Sequence, residues 1–288
     1  MRDTTRVGVI FVKALKNSVL SRVAALSGAL STRVNLQRLV FNAARLDRPE
    51  IRSIIADENI RFLSYCIARR DRTRSQIFQD LWVCYELGER EGGYFVEFGA
   101  TNGLKNSNTW LLEKKLGWTG ILAEPNPIWH AELAANRNAA IESKCVYSRS
   151  GEIVSFLTTD DTDPELSGIA SFSDADHFAE TRRKARKIDL ETISLDDLLT
   201  KYDAPATIDY MSIDTEGSEF DILSSYSFRH RFKLISVENN PKNERLVDDL
   251  LVSKGYVRVF RHFSQWDSWY VASDLRDGQP LRFVAPEA

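Results

Sequence analysis

From Gly92-Gly93 onward the chain alternates short apolar runs with amphipathic ones. YFVEFGA (94–100) predicts a buried strand ending in a glycine turn, and NSNTWLLEKKLG (106–117) predicts a helix. WTGILAEPNP (118–127) reads as a second strand running into a proline-bounded turn, IWHAELAANRN as a helix, and KCVYS (144–148) as a third strand. EIVSFLTT, after Gly151, suits a hairpin partner or an extension of that strand. The alternation resumes with TIDYMSIDTEG, SEFDILSSY, KLISVENN and NERLVDDLLVSKG as strand, helix, strand and helix. YVRVFRHF and SWYVAS close the pattern with no helix between them, which predicts an antiparallel hairpin at one edge. Such alternation builds right-handed crossovers, so the expected fold is α/β, a mostly parallel sheet flanked by helices.

Residues 1–90 read differently, as mostly helical, with almost no Gly or Pro to break them. SQIFQDLWVCYELG fits one amphipathic helix with Ser75 as its N-cap and Gly88 as its stop. Residues 158–192 interrupt the strand–helix pattern with a polar, irregular segment that carries the basic run RRKARK (182–187). A segment that long is expected to be a lid, a substrate loop or disordered. The expected division is a basic helical region, 1–74, and an α/β domain, 75–288.

Charge sharpens that division. The net charge of −3 conceals 15 Lys/Arg against 6 Asp/Glu in residues 1–74, and 23 against 35 in the remainder. The basic region is expected to lie on something acidic: the rest of the chain, an anionic membrane surface, or nucleic acid. Nucleic acid fits worst, because the α/β portion is itself acidic and repels phosphates. Three cysteines, far apart and without a CxxC pair, fit neither a disulfide framework nor a structural zinc site. They point to a reducing compartment. No apolar run approaches the ~20 residues that span a bilayer, and Lys13, Lys16 and Arg22 interrupt any signal-peptide core. The expected location is cytoplasmic, with peripheral membrane contact through the basic N-terminal region.

In open α/β sheets, ligands bind beyond the carboxyl ends of the strands, so the chemistry is sought there. The first strand ends Glu97-Phe98-Gly99-Ala100-Thr101-Asn102-Gly103, where glycine admits a close backbone approach. This is not the dinucleotide pattern GxGxxG, because Thr101 and Leu104 stand where that pattern has glycine. Glu124, at the end of the second strand, can accept hydrogen bonds from both hydroxyls of a ribose. Together they indicate an adenosine-bearing ligand. The fourth strand ends Asp214-Thr215-Glu216-Gly217-Ser218-Glu219 and the fifth Glu238-Asn239-Asn240. Asp214, Glu238 and Asn239 are oxygen donors suited to a hard cation, Mg²⁺ or Ca²⁺. Glu219, and in part Glu216, are expected to favour the following helix through its dipole.

FVEFGATNG, SNTWLLEKKLGWTGILAEPNP and IDTEGSEFDIL, in this order, with SQIFQD (75–80) ahead of them, resemble the FkbM-type methyltransferases. The resemblance covers roughly 75–272 and leaves the basic region outside. It implies a Rossmann-like class I methyltransferase sheet and transfer of a methyl group from S-adenosylmethionine to a hydroxyl oxygen, commonly of a sugar or glycolipid. Carried over, Glu97, Gly99, Ala100, Asn102 and Gly103 would shape the methionine and ribose side. Glu124 and Pro125 would hold the ribose, and Val146–Ser148, with Ser148 at its end, would flank the adenine. Asp214 would be the acid nearest the methyl, acting with a cation or alone as general base, with His262 or His177 as the remaining options. Trp118, Trp129, Trp266 and Trp269 are candidate stacking faces for a sugar. RRKARK would meet an acidic saccharide or a phosphorylated carrier, or form a solvated face. Replacing Glu124 by Ala is expected to weaken cofactor binding with little loss of fold. Two rival readings are a methyltransferase-like binding module without turnover and an NAD-dependent oxidoreductase, the latter opposed by the absent GxGxxG.

Overall fold

The computed structural model describes residues 57–159, 167–172 and 185–276. The chain separates into two units, 1–61 and 62–288, and the fold below belongs to the second. Most of the basic N-terminal region, and with it the helical reading of residues 1–56 and their membrane contact, lies outside the described residues. His177 and residues 182–184 of the basic run also lie outside them. No helix among the described residues is long and apolar enough to cross a membrane.

The elements in chain order are α1 (Glu58–Arg69), α2 (Gln79–Leu87), β1 (Tyr94–Phe98), α3 (Trp110–Leu116), β2 (Thr119–Ala123), α4 (His130–Asn136), β3 (Ala140–Glu142) and β4 (Cys145–Tyr147). There follow β5 (Ile153–Thr158), β6 (Gly168–Ile169), β7 (Arg186–Ser194), α5 (Leu195–Lys201), β8 (Thr207–Ile213), α6 (Glu219–Ser225), β9 (Arg231–Glu238), α7 (Glu244–Ser253), β10 (Tyr256–Val259) and β11 (Asp267–Ala272). Seven strands form the main sheet in the order β10-β11-β9-β8-β1-β2-β3. All its pairs are parallel except those of β11, which runs antiparallel to both β9 and β10. This is the expected mostly parallel, Rossmann-like sheet with its antiparallel edge hairpin. Strand order reverses between β1 and β8, which creates the crevice where such sheets take ligands.

Alternation along the strands sends side chains into two cores. Val96, Phe98, Met211 and Ile213 pack on one face against α5, α6 and α7, where Leu198, Ile222 and Leu251 are buried. Phe95, Leu122 and Tyr210 pack on the other, against Trp82 of α2, Leu111 and Leu112 of α3, and Trp269 of β11. Trp82 and Trp269 stack at 5.1 Å between ring centroids. Gly88 closes α2 in the left-handed region (φ 68), as expected, but Ser75 is not its N-cap. The helix starts only at Gln79, after Phe78 at φ 71, and the Ser75 hydroxyl instead donates to Asp80 at 2.7 Å.

The region after β3 departs from expectation. The third place in the main sheet belongs to Ala140–Glu142, while Cys145–Tyr147 joins a second sheet of order β4-β7-β5-β6. Two residues, Ser143 and Lys144, separate the two strands, and a three-residue strand is too short to display a period. The segment expected to be irregular up to 192 contains β7, nine residues long, paired antiparallel with β5 from Ile153↔Glu191 to Thr158↔Arg186. Its polar composition misleads because one face is open to solvent, with Lys187, Asp189 and Glu191 exposed along it. Ser194 then caps α5, a helix the sequence pattern missed, by accepting from the Asp197 N–H at 3.1 Å.

Candidate active site

The turn after β1 is built for close approach. Gly99 has φ +72, and a Cβ there would lie 2.4 Å from the Asp214 carbonyl oxygen, so only glycine lets the ends of β1 and β8 meet. At Gly103, also φ +72, a Cβ would strike the Arg137 and Leu133 side chains. Between them Thr101 holds φ 46, where L residues other than Asn and Asp are uncommon. Its N–H donates to Glu124 Oε2 at 2.7 Å, and the Asn126 N–H donates to Oε1 at 2.7 Å. Glu124 is therefore a buried brace between two turns as well as a cavity wall, and burial pushes its carboxyl up to about 7. Each oxygen retains a second lone pair, so hydroxyls of a ligand can still be accepted.

Glu97 has a structural task beside its place on the cavity wall. Its carboxylate accepts from Thr109 Oγ1, from the Asn108 N–H at 2.7 Å and from Ser107 Oγ at 3.2 Å. Arg137 stands 3.6 Å away, binds Glu113 at 2.7 Å and donates to the Gly103 carbonyl, Ser107 and Thr109. Burial raises the Glu97 carboxyl and the Arg137 charge opposes this. This hub braces the turn from beneath, and Glu97 reaches the cavity as part of its wall. Ala100, Asn102 and Gly103 do not line the cavity. Asn102 Oδ1 caps the turn, accepting from the Leu104 and Lys105 N–H groups at 3.1 and 2.9 Å.

At the β8 and β9 ends, Asp214, Glu216 and Glu238 bring carboxylate oxygens within 4.8 Å of one another. Glu216 owes its place to a left-handed backbone (φ 58), and Glu219 enforces that turn by accepting from the Thr215 and Gly217 N–H groups at 3.1 and 2.9 Å. The helix-dipole expectation thus fails for Glu216, while Glu219 stands in the first turn of α6 as expected and is a turn brace as well. Asp214 opens onto the cleft and is hemmed in by the neighbouring acids. Desolvation and the Glu219 charge push it up to about 6, and Glu238 is raised well above the usual range by burial and by Asp214. These groups repel one another unless a proton or a cation is shared. Asn239 is not among the cavity residues. Its Oδ1 accepts from Ser268 Oγ, and its N–H donates to the Trp266 carbonyl at 2.7 Å. His262 is exposed and off the cavity, so it is not placed as an acid or base.

These parts surround one cavity of about 580 Å³, ordinary for a small-molecule site. The second sheet supplies an apolar wall from Cys145, Val146, Phe156 and Ile169, whereas Ser148 lies off the cavity. Pro125 lines it beside Glu124. Of the four tryptophans, Trp129 and Trp266 line it, while Trp118 and Trp269 are buried in the core. Sequence reading missed Gln76, Gln79, Phe156 and Asp267, all on the wall. Gln79 donates from Nε2 to Asp267 at 2.9 Å across 188 positions of sequence, and burial pushes Asp267 up to about 7.

No curated protein sequence matches the chain. Among solved structures, a precorrin-6y C5,15-methyltransferase from Geobacter metallireducens overlaps at 9% identity and TM-score 0.34, covering 67% of this chain and 85% of that one. A protein assigned as a sarcosine dimethylglycine methyltransferase from Galdieria sulphuraria overlaps at 10% identity and TM-score 0.27, covering 63% and 62%. The methyltransferase FkbM domain matches residues 97–267, which run from the β1 acid to the first residue of β11 and make up more than half of the chain. The chain belongs to the FkbM methyltransferase family.

Proposed function

We propose that this methyltransferase moves the methyl group of S-adenosylmethionine to a hydroxyl oxygen of a saccharide or glycolipid. The observation that carries this reading is the cleft at the β1–β8 reversal, walled at one side by the Gly99–Thr101 turn locked to Glu124 and at the other by Asp214. An adenosine-bearing cation suits that donor set. The spare lone pairs of Glu124 face ribose hydroxyls, the second-sheet wall of Val146, Phe156 and Ile169 covers an apolar base, and the strand-end acids favour positive charge. S-adenosylmethionine supplies an already activated methyl group when bound, so the chain's own work is alignment and proton handling.

A sugar hydroxyl is a weak nucleophile and must lose its proton as it attacks. Asp214, raised toward 6, is a better base than an ordinary carboxylate and accepts that proton. Asp214, Glu216 and Glu238 also form an all-oxygen donor set that suits Mg²⁺ or Ca²⁺. A cation held there would acidify and orient the acceptor hydroxyl. Asn239 has no part in this ligand set, and His262 none in the proton transfer.

Calorimetric titration with S-adenosylhomocysteine, with NAD as control and Mg²⁺ present or chelated, tests the reading. S-adenosylhomocysteine should bind and NAD should not. Binding of NAD alone would overturn the donor assignment, and binding of neither would favour a module without turnover. Asp214→Ala should keep cofactor affinity within a few-fold and abolish transfer.

A further inference from the structure

We propose that Gln79, Asp267 and Trp266 form the acceptor subsite, and that it takes an uncharged sugar ring carrying neighbouring hydroxyls and one apolar face. The proposal rests on the reading that Glu124 and the glycine turn hold the methyl donor, which leaves the opposite wall for the acceptor.

Three observations carry it. Gln79 and Asp267 are almost fully buried and face the cavity as a joined amide–carboxylate pair, at 2.9 Å. A pair of this kind offers acceptors and a donor a few ångströms apart, the spacing of two adjacent ring hydroxyls. The Gln79 amide is oriented, because its Oε1 is held by the Ile77 N–H at 3.1 Å. Beside it Trp266 lines the same cavity with 47% of its surface exposed, an unusual state for a large aromatic ring away from an interface. Its place is fixed by the Asn239 N–H on its carbonyl and by the turn at Gln265 (φ 48). An exposed indole and an oriented polar pair on one cavity suit a ring that is apolar on one side and hydroxylated at its rim.

Charge narrows the class further. Among the described residues that line the cavity, six carboxyl groups stand against one lysine, and with Glu124 and Asp267 raised toward 7 the lining still offers little to hold an anion, so a carboxylated or phosphorylated ring is disfavoured on this wall. The β9–β11 register places Asp267 directly opposite Glu238, so a hydroxyl held by Asp267 lies beside the cluster that contains Asp214, the proton acceptor.

The probes are methyl α-D-mannopyranoside, methyl α-L-rhamnopyranoside and methyl β-D-galactopyranoside, with methyl α-D-glucopyranosiduronate and catechol as comparators. Each is titrated, with saturation-transfer NMR, into the full chain with and without S-adenosylhomocysteine. At least one neutral glycoside should bind and outcompete both comparators. Gln79→Ala, Asp267→Asn and Trp266→Ala should each weaken it about tenfold or more, the loss of one good hydrogen bond or stacking face. Affinity for S-adenosylhomocysteine should stay within about twofold. Asp267→Asn risks misfolding because the site is buried, whereas Trp266 is exposed and its variant keeps the test decisive. Absence of neutral glycoside binding, preference for the uronate or catechol, or unchanged affinity in Trp266→Ala would overturn the subsite. Failure of S-adenosylhomocysteine to bind would instead overturn the donor reading, and the glycoside result on the free chain would still decide the subsite.

Discussion

Glu124 shows how one residue combines two tasks. Because its two oxygens hold the Thr101 and Asn126 N–H groups, replacing it by Ala strands two donors as well as removing a ligand contact. The sequence-based expectation of an unharmed fold is therefore revised: Glu124→Ala should cost about 1–3 kcal/mol by thermal melting, beside a loss of S-adenosylhomocysteine affinity. Gly99→Ala should be worse, more than about 2 kcal/mol, since backbone oxygen at 2.4 Å cannot give way as a flexible side chain would. Thr101→Gly should go the other way. Relief of a left-handed β-branched residue, about 1–2 kcal/mol, is partly offset by glycine's freedom in the unfolded chain, about 0.5–1 kcal/mol. A net gain of up to about 1.5 kcal/mol is expected, and denaturant midpoints would register it. Glu124, Gly99 and Asp214 were legible because strand ends announce themselves in sequence. Glu216 was misread because its contribution depends on a backbone angle, and Gln79–Asp267 was missed because nothing local marks a contact across 188 positions.

Elements were legible where an apolar pattern ran through five or more residues of an element. β1, β2, β8 and β9, with α3, α6 and α7, follow from their patterns, and so do the parallel sheet and the edge hairpin. The second sheet was legible only in β4 and β5, since β6 is two residues long and β7 presents charge on its open face, and the three-residue β3 of the main sheet was missed. What unites the legible elements is the Arg137 hub, which follows α4 and ties the β1 end to α3. Removing its charge leaves Glu97 buried without that cation and Glu113 with Lys114 as its ion partner, so Arg137→Met should cost about 3–5 kcal/mol. Adding Glu113→Gln should recover part of that loss, a double-mutant comparison that a purely steric role would not reproduce.

Across the whole molecule the acids make stability depend on pH. Glu124 and Asp267, raised toward 7 by burial, keep protons in the folded chain that the unfolded chain releases near pH 4. Folded-state proton binding therefore exceeds unfolded, and stability falls as pH rises from about 4 through 7. Each such group contributes at most about 1.4 kcal/mol per pH unit, so the melting temperature at pH 5.5 should exceed that at pH 8 by several degrees. Glu89 and Glu113, held below their ordinary values, act only at lower pH and leave this window clear. Mg²⁺ or Ca²⁺ at pH 8 should restore part of the loss if the Asp214 cluster takes it. The β5–β7 pairing has a further consequence, for how the chain tolerates change in length. Ile153 and Glu191 are ladder partners, so everything between them enters and leaves through one hairpin mouth. Residues can be added or removed inside that mouth without shifting any strand of the main sheet. A variant trimmed to a two-residue turn at that point should keep its fold and lose the Phe156 and Ile169 wall. In this chain the ligand-facing cover can therefore be lengthened, shortened or exchanged while the catalytic frame stays as it is.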